Sequence, residues 1–426
     1  MIENQSAIPF HRAVSSPAGS LASAEPIIVC EPQCWGFEHA SFNAALLRTV
    51  QLAFPGHPIR FFGERSHLGE LSSRLENFPA PGLAPVSWEE IAIPERHSAS
   101  WRRLPREFQW CSPILAAARG TNAQLLILAS FADTGLLALK VMMFRCRLTV
   151  PTLAVAHGGL FDLLRPNYRP WSLQLRHILD LPHPPALRLI VLGDSIQREL
   201  LSVYPRRRSQ WAVIDLPYLF PAADESPPPG KDPTVRFGYF GSTYKGAELF
   251  ESLADEFGPR CPRAEFWLVG FVDGRRPVSS FSRQVRGLGT RPLTNKEYQE
   301  RASGLSYCVF ADDPEYRRLV ASASFLDALA YGKPGLYLRN DYIEPYFRKL
   351  GDIGYLCENR EQMRETVAEI LREFPRERYQ KQVENIIAGR KIFSPEFLAP
   401  RLRSLVMSPN NSIGPSLDSM VSGQHS

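Results

Sequence analysis

The stretch SASFLDALAYGKP, residues 322–334, has the pattern of a short buried helix with polar residues at its start. The spacing of Ser324 and Asp327 predicts a Ser-x-x-Asp helix start, in which the hydroxyl and the carboxylate both cap backbone N–H groups. A helix start is also suited to an anionic ligand, because its unpaired N–H groups lie at the positive end of the helix dipole. The surrounding sequence has to decide between a cap and a ligand site.

The residues on both sides of this stretch alternate between strand patterns and helix patterns. Short apolar runs bounded by turn residues predict strands in TVRFGYFGS (234–242), AEFWLVG (264–270), LSYCVFADD (305–313) and PGLYLRN (334–340). Helical spacing is found between them, in KGAELFESLADEF (245–257) and KEYQERAS (296–303), and later in REQMRETVAEILREF (360–374). Strands that alternate with helices in this way indicate βαβ units and a parallel sheet.

The first half of the chain has the same alternation. Strands are predicted in PIIVC (26–30), HPIRFFG (57–63), AQLLILAS (123–130), TVPTLAVAHGG (149–159) and LRLIVLGDS (187–195), with a helix in ASFNAALLRTVQLAF (40–54). We therefore predict an α/β protein with two doubly wound Rossmann-like domains facing a cleft. The predicted division is a flexible segment 1–25, a first domain 26–216, a proline-rich linker 217–233, a second domain 234–407 and a disordered tail 408–426.

Composition narrows the class of protein. The chain has 426 residues, 44% hydrophobic and 22% charged, with a net charge of +5, and no run of apolar residues is long enough to span a membrane. The seven cysteines form no disulfide framework. Cys30 and Cys34 have a spacing that could suit a metal, but no second Cys/His pair accompanies them, so a structural role is favoured and no metal site is predicted. We expect a cytoplasmic protein that does not bind nucleic acid.

A glycine-rich turn follows the first strand of the second domain. In FGYFGSTYKGAELF (237–250), Gly241, Ser242, Tyr244 and Lys245 lie between a strand and a helix. Glycine lets the backbone approach a ligand closely, and a lysine adds a full charge for a phosphate. A simple tight connection is the alternative, because the turn matches neither a Walker A loop nor Gly-x-Gly-x-x-Gly.

From Phe237 to Gly354 the sequence resembles the donor-binding half of GT-B glycosyltransferases, in particular the retaining family 4 group. The resemblance is carried by GSTYKG, FWLVG, PLTNKEYQERASGLSYCVF, SFLDALAYGKPGLYLRN and GDIGYLCEN. It implies that Ser322 and Ser324 receive the diphosphate of a nucleotide-sugar donor and that Asp327 binds the ribose hydroxyls. It also implies a donor site without cofactor or metal. Leu319 stands where the family has its first glutamate, so Arg317 could contact the diphosphate instead, and a retaining or inverting reaction stays open.

The first domain would then bind the acceptor and supply a base. His39 and His157 follow predicted strands, and Asp162 lies five residues beyond His157. An imidazole with a pKa near 6.5 is suited to take a proton from a sugar hydroxyl. A structural hydrogen bond at a strand end is the alternative for each histidine, and the sequence does not decide between them.

Arginine and tryptophan occur together in three first-domain segments, SWRRLPREFQW, RPNYRPWSLQLRH and YPRRRSQW. This combination suits a lipid-linked acceptor or peripheral contact with the anionic inner face of a membrane. The resulting expectation is an enzyme that transfers a hexose from a nucleoside-diphosphate sugar to a carbohydrate or glycolipid acceptor in polysaccharide or glycoconjugate synthesis. A catalytically degenerate GT-B protein that binds a nucleotide or glycan, and a nucleotide-sugar epimerase, are the alternatives.

Overall fold

A computed structural model describes residues 24–95, 100–164, 174–221, 234–243, 247–311 and 314–407. The first lobe contains thirteen of the strands and helices: β1 (Ile27–Cys30), α1 (Ala40–Ala53), β2 (Ile59–Gly63), α2 (Arg65–Glu76), β3 (Val86–Glu90), α3 (Ser100–Gly120), β4 (Leu125–Leu128), α4 (Asp133–Cys146), β5 (Thr152–Val155), α5 (Leu175–Asp180), β6 (Leu187–Leu192), α6 (Asp194–Val203) and β7 (Trp211–Ile214). Its seven strands form one parallel sheet in the order β3-β2-β1-β4-β5-β6-β7.

The second lobe forms a six-stranded parallel sheet in the order β10-β9-β8-β11-β12-β13. Its elements, with the helices that follow the sheet, are β8 (Val235–Ser242), α7 (Glu248–Phe257), β9 (Ala264–Phe271), β10 (Val285–Arg286), α8 (Asn295–Ser303), β11 (Tyr307–Phe310), α9 (Pro314–Arg317), α10 (Ala323–Ala330), β12 (Gly335–Leu338), α11 (Glu344–Leu350), β13 (Gly354–Cys357), α12 (Arg360–Arg372), α13 (Arg376–Gly389) and α14 (Pro395–Met407).

The inner strands are apolar along their whole length because helices cover both faces of a parallel sheet. Every residue of β1, β4, β5, β6 and β12 is buried. The predicted α/β class with two Rossmann-like domains is confirmed, as are the strands named from the sequence. The four edge strands β3, β7, β10 and β13 were missed; in β3, for example, the residues VSWEE are half polar.

The last helix returns to the first lobe. α14 packs against α1 and β7, and the Arg188 guanidinium donates to the carbonyl of Leu405 over 2.8 Å. The sequence division placed 234–407 in the second domain, whereas the structure puts the end of that range beside the first sheet. The apolar core of the first lobe is accordingly continuous with side chains of α10, α11 and α14, including Phe325, Tyr346 and Leu402.

Two tryptophans of the arginine-containing segments belong to the core. Trp110 and Trp211 are 2% and 1% exposed, so these two rings take no part in the membrane contact that the segments suggested. The segment between β7 and β8 begins within the described residues, where the Tyr218 N–H donates to the carbonyl of Phe393. Most of the predicted linker, and both predicted terminal segments apart from residues 24 and 25, lie outside the described residues.

Candidate functional site in the cleft

In both sheets the order of the strands reverses at a corresponding place, and this switch point determines where a ligand can bind. In the first sheet the strand order turns between β1 and β4, and in the second between β8 and β11. Ligands of open parallel sheets bind beyond the carboxyl ends of the strands at such switch points. The loop after β1 carries His39, β5 is followed by His157, and β8 ends in the glycine turn.

The structure brings the two predicted histidines together. Their rings stack with centroids 4.6 Å apart and planes at 26°, and Phe42 meets the His157 ring edge-on at 4.7 Å. His39 precedes α1 in a left-handed conformation with φ of 49°, and its side chain is exposed, whereas His157 is half-buried. His39 is therefore the member of the pair that faces solvent.

His157 is held as a neutral imidazole. Its Nε2 lies 2.9 Å from the carbonyl of Ala129, so Nε2 carries the proton and Nδ1 keeps a lone pair. Burial, followed by the adjacent His39, lowers the pKa of His157 to about 3, against the opposing effect of the bond to Ala129. A base this weak is poorly matched to proton abstraction near neutral pH.

Asp162 lies in the short 3₁₀ helix Gly158–Leu163 that follows His157, and it has a carboxylate neighbour that the sequence analysis missed. Asp133 opens α4, directly after β4, with its Oδ1 3.8 Å from the position of a Cβ at Gly159. Burial and then the charge of Asp162 raise the pKa of Asp133 to about 7, and burial raises that of Asp162. The rule that singled out the histidines, a polar side chain in the loop after a predicted strand, would also have found Asp133.

A buried network fixes the loop between β1 and α1. The Glu31 carboxylate is fully buried and accepts from the Ser130 hydroxyl and from Asn43 Nδ2, the latter over 3.0 Å. Asn43 Nδ2 also donates to His67 Nε2 over 2.9 Å, and His67 Nδ1 donates to the carbonyl of Gly36 over 2.7 Å. This chain of bonds holds the loop that presents His39.

In the second lobe the glycine turn lies against the start of α10. Gly241 has φ of +95°, and a Cβ built there would be 3.6 Å from Ser324 Oγ. The cap differs from the predicted one: Ser322 Oγ accepts from the Phe325 N–H over 3.3 Å, and Ser324 donates to the carbonyl of Phe240. The helix begins two residues earlier than the Ser-x-x-Asp pattern indicated, so Asp327 takes no part in capping.

Asp327 instead lies among tyrosines. Tyr218, from the segment that joins the lobes, donates its hydroxyl to Asp327 Oδ1 over 2.6 Å. The pKa of Tyr298 is raised well above its ordinary value, first by burial and then by Asp327, to which it is also hydrogen-bonded. A ribose at Asp327 would share or replace these phenol hydroxyls.

The remaining predicted donor residues are differently placed. Arg317 is 2% exposed and donates to the carbonyl of Ala321 over 3.0 Å, so it supports the loop before α10. Leu319, at the position of the family's glutamate, is 1% exposed and belongs to the core. Ser242 ends β8, and the predicted ligands Tyr244 and Lys245 lie outside the described residues.

The loops of the two lobes contact each other across the cleft. Phe37 meets Phe271 edge-on at 6.0 Å, and Phe161, beside Asp162, meets Tyr316 of α9 at 5.2 Å. Arg74 also donates to Asn295 over 3.3 Å. The histidine loops and the glycine turn therefore border one cleft between the lobes.

Two Rossmann-like domains facing a cleft define the GT-B fold, and this chain has it. It is similar to the N-terminal domain of trehalose-6-phosphate phosphatase from Candida albicans, at 10% identity and a TM-score of 0.60, over 92% of this chain and 99% of that one. It is also similar to WaaG, a glycosyltransferase involved in lipopolysaccharide biosynthesis (13% identity, TM-score 0.56, 90% and 100% covered). Anabaena HepE, solved with UDP and glucose, is similar at 15% identity and a TM-score of 0.54, over 93% and 100% of the two chains.

No known family profile and no curated protein sequence matches the chain. The family 4 assignment from the sequence therefore stays a prediction. Among the described helices, none is long and apolar enough to cross a membrane.

Proposed function

We propose that this protein is a glycosyltransferase that moves a hexose from a nucleoside-diphosphate sugar to a carbohydrate or glycolipid acceptor. One observation carries the proposal: the Gly241 turn lies against the start of α10 on one side of a cleft whose other side presents His39 and His157. A glycine turn beside a helix start is suited to a diphosphate, and an exposed imidazole opposite it is suited to a hydroxyl. Polysaccharide or glycoconjugate synthesis is the process this reaction would serve.

The donor half of the proposal rests on the second lobe. Backbone N–H groups at the start of α10, Ser322, Ser324 and Lys245 would receive the diphosphate, and Asp327 the ribose. Ser322 and Ser324 are 4% and 8% exposed, and in such a low-dielectric setting fixed dipoles act strongly on charge. In the proposed step, dipoles and basic side chains rather than a metal would stabilise the leaving diphosphate, as the resemblance to GT-B glycosyltransferases implies.

The acceptor half assigns different roles to the two histidines. His39 is exposed and can meet an acceptor hydroxyl from the cleft, while His157 supports it as a neutral ring fixed by Ala129. Asp133 and Asp162, next to the His157 turn, would bind the other acceptor hydroxyls. In an inverting reaction His39 takes the proton; in a retaining reaction the leaving diphosphate can take it.

The proposal is tested by measuring donor binding first and turnover second. Nucleoside diphosphates and their sugars are titrated into the protein by thermal shift, with Lys245→Ala as the test variant and Lys296→Ala, an exposed lysine of α8, as its control. Lys245→Ala is expected to lose about 1.5–3 kcal/mol of donor binding energy, the range for a hydrogen bond to a charged group. Equal affinity in both variants would contradict the donor loop.

Measuring the release of free nucleoside diphosphate then distinguishes the transferase from the two alternative functions. A transferase releases it only with an acceptor present, and the sugar appears on the acceptor. Binding without release would favour the degenerate GT-B alternative, and a product that remains a nucleotide-linked sugar of changed configuration would favour an epimerase.

Peripheral membrane contact of the acceptor lobe is part of the proposal. Val141 and Phe144 of α4 and Leu181 are 44%, 46% and 42% exposed, and α4 also carries the exposed Arg145. Exposed apolar side chains beside arginine suit an anionic lipid surface, because the guanidinium binds phosphate while the apolar groups leave water. Sedimentation with anionic vesicles, and none with neutral vesicles, is the expected result.

A further inference from the structure

We propose that Glu31, Cys34 and His39 form a binding site for Zn²⁺ or a chemically similar transition-metal cation. One ligand atom of each residue lies within 4.8 Å of the other two, at the carboxyl end of β1. Cys30, whose spacing from Cys34 could suit a metal, is a fully buried residue of β1 and does not belong to this group.

The three side chains match the chemistry of such an ion. A thiolate, an imidazole nitrogen and a carboxylate oxygen are ligands of Zn²⁺, and the soft thiolate disfavours Mg²⁺ or Ca²⁺. Tetrahedral bonds of about 2.0–2.3 Å hold ligand atoms roughly 3.3–3.8 Å apart. Atoms already within 4.8 Å need only a small movement, which the exposed His39 side chain can make. Solvent on that side would provide a fourth ligand.

A second, independent observation concerns the charge of Glu31. Its carboxylate is fully buried, and the hydrogen bonds it accepts come from neutral groups: the Ser130 hydroxyl, the Asn43 amide and the Gln33 N–H. Burying a carboxylate away from water is costly when no cation accompanies it. A divalent ion at this position would supply that charge.

The groups that hydrogen-bond to Glu31 would also orient its carboxylate as a metal ligand. Glu31 uses Oε1 for Ser130 and Gln33 and Oε2 for Asn43, which leaves lone pairs on the carboxylate for a metal. Hydrogen bonds of this kind orient metal ligands, and their loss typically lowers metal affinity about 10–100-fold. Cys34 is 3% exposed and is not in a disulfide, so its sulfur is protected from bulk oxidants.

The site has a consequence for His39. An ion bound through the imidazole lone pair excludes an acceptor hydroxyl from the same nitrogen. Metal binding itself requires neither donor nor acceptor, so it can be tested whether or not the protein is a transferase.

Co²⁺ is the probe, because a bound thiolate gives a near-ultraviolet charge-transfer band and tetrahedral geometry gives visible bands. Titration of the full chain is expected to show one Co²⁺ per chain, displaced by Zn²⁺. Cys34→Ser should lose the charge-transfer band, while Cys261→Ser, a partly exposed cysteine of the second lobe, should keep it. Absence of the band in the wild-type chain, or its persistence in Cys34→Ser, would overturn the site.

A second variant distinguishes the loss of a metal ligand from the loss of the folded structure. His39→Ala changes an exposed side chain and should keep the thiolate band while weakening Co²⁺ binding at least tenfold. Circular dichroism checks that each variant is folded. Unchanged Co²⁺ affinity in folded His39→Ala would remove His39 from the site and overturn the proposal as stated.

Discussion

His39 and His157 are stacked, yet their surroundings give them different properties. The carbonyl of Ala129 and burial hold His157 as a neutral ring, whereas His39 lies exposed at the start of α1. If the reaction inverts the sugar, His39→Ala should lower turnover about 10²–10⁴-fold and leave donor binding intact. His157→Ala, the matched variant, should weaken acceptor binding or stability instead.

The check on this prediction is the anomeric configuration of the product, measured by NMR together with the kinetics of both variants. An inverted product made at wild-type rate by His39→Ala would exclude His39 as the base, and Asp162 would be tested next. A retained configuration makes neither histidine necessary for the proton.

Asp133 gives a prediction for the pH dependence of stability. Its pKa is raised from an ordinary 3.8 to about 7, first by burial and then by Asp162, while the Leu175 N–H and Arg103 oppose the shift. The folded state thus holds this proton more tightly than the unfolded chain, so the free energy of unfolding should fall as pH rises from about 4 to 7. Asp133→Asn should flatten that slope, as seen in chemical denaturation at several pH values. The same slope in the variant would show that Asp133 titrates normally.

Within α10, the residue that caps the helix is not the residue whose carboxylate is proposed to bind ribose. Ser322 caps the helix, and Asp327 bonds to Tyr218, so Asp327→Asn keeps an acceptor oxygen and should leave the melting temperature nearly unchanged. Donor affinity should fall by about 1.5–3 kcal/mol, because charge-assisted bonds to ribose are lost. Tyr218→Phe, which leaves the carboxylate in place, should retain donor affinity. A large loss of stability in Asp327→Asn without a separate binding defect would make this residue structural.

The close pairing of β8 with β9 determines the shape of the glycine turn. Gly241 and Gly270 are directly paired, and a Cβ added at Gly270 would lie 1.8 Å from the Gly241 carbonyl oxygen. Gly270→Ala should therefore force the strands apart, cost about 1–3 kcal/mol of stability and weaken donor binding. Gly289→Ala, where nothing lies within 4 Å of the added atom, is the control. Thermal unfolding and donor titration measure both effects, and identical behaviour of the two variants would contradict the close approach.

At the scale of the whole molecule, polar side chains join the lobes. Arg318, just after α9, pairs with Glu199 of α6, and Lys349 of α11 pairs with Asp194 of α6 over 3.3 Å. Because partly exposed pairs contribute only about 0–1 kcal/mol, Arg318→Gln should barely change stability. It should instead allow the lobes to open, seen as a larger radius of gyration by X-ray scattering without donor.

The matched control for the lobe contact is Arg348→Gln, which removes an ion pair to Glu344 within α11. Exchanging the charges, Arg318→Glu with Glu199→Arg, should restore the wild-type scattering. If Arg318→Gln and Arg348→Gln scatter alike, the pair with Glu199 does not hold the lobes.

Local patterns in the sequence predicted the two βα blocks, the parallel sheets and the positions at which the inner strands end. These follow from local periodicity, since a buried strand such as LRLIVL is apolar throughout and turn residues bound it. The sequence also named His39 and His157, because each follows a strand. The stacking of their rings, the position of Asp133 beside the His157 turn and the position of Cys34 near Glu31 and His39 follow only from the folded chain. Stacking, burial and charge depend on residues far apart in the chain, and local sequence patterns do not specify how those residues meet.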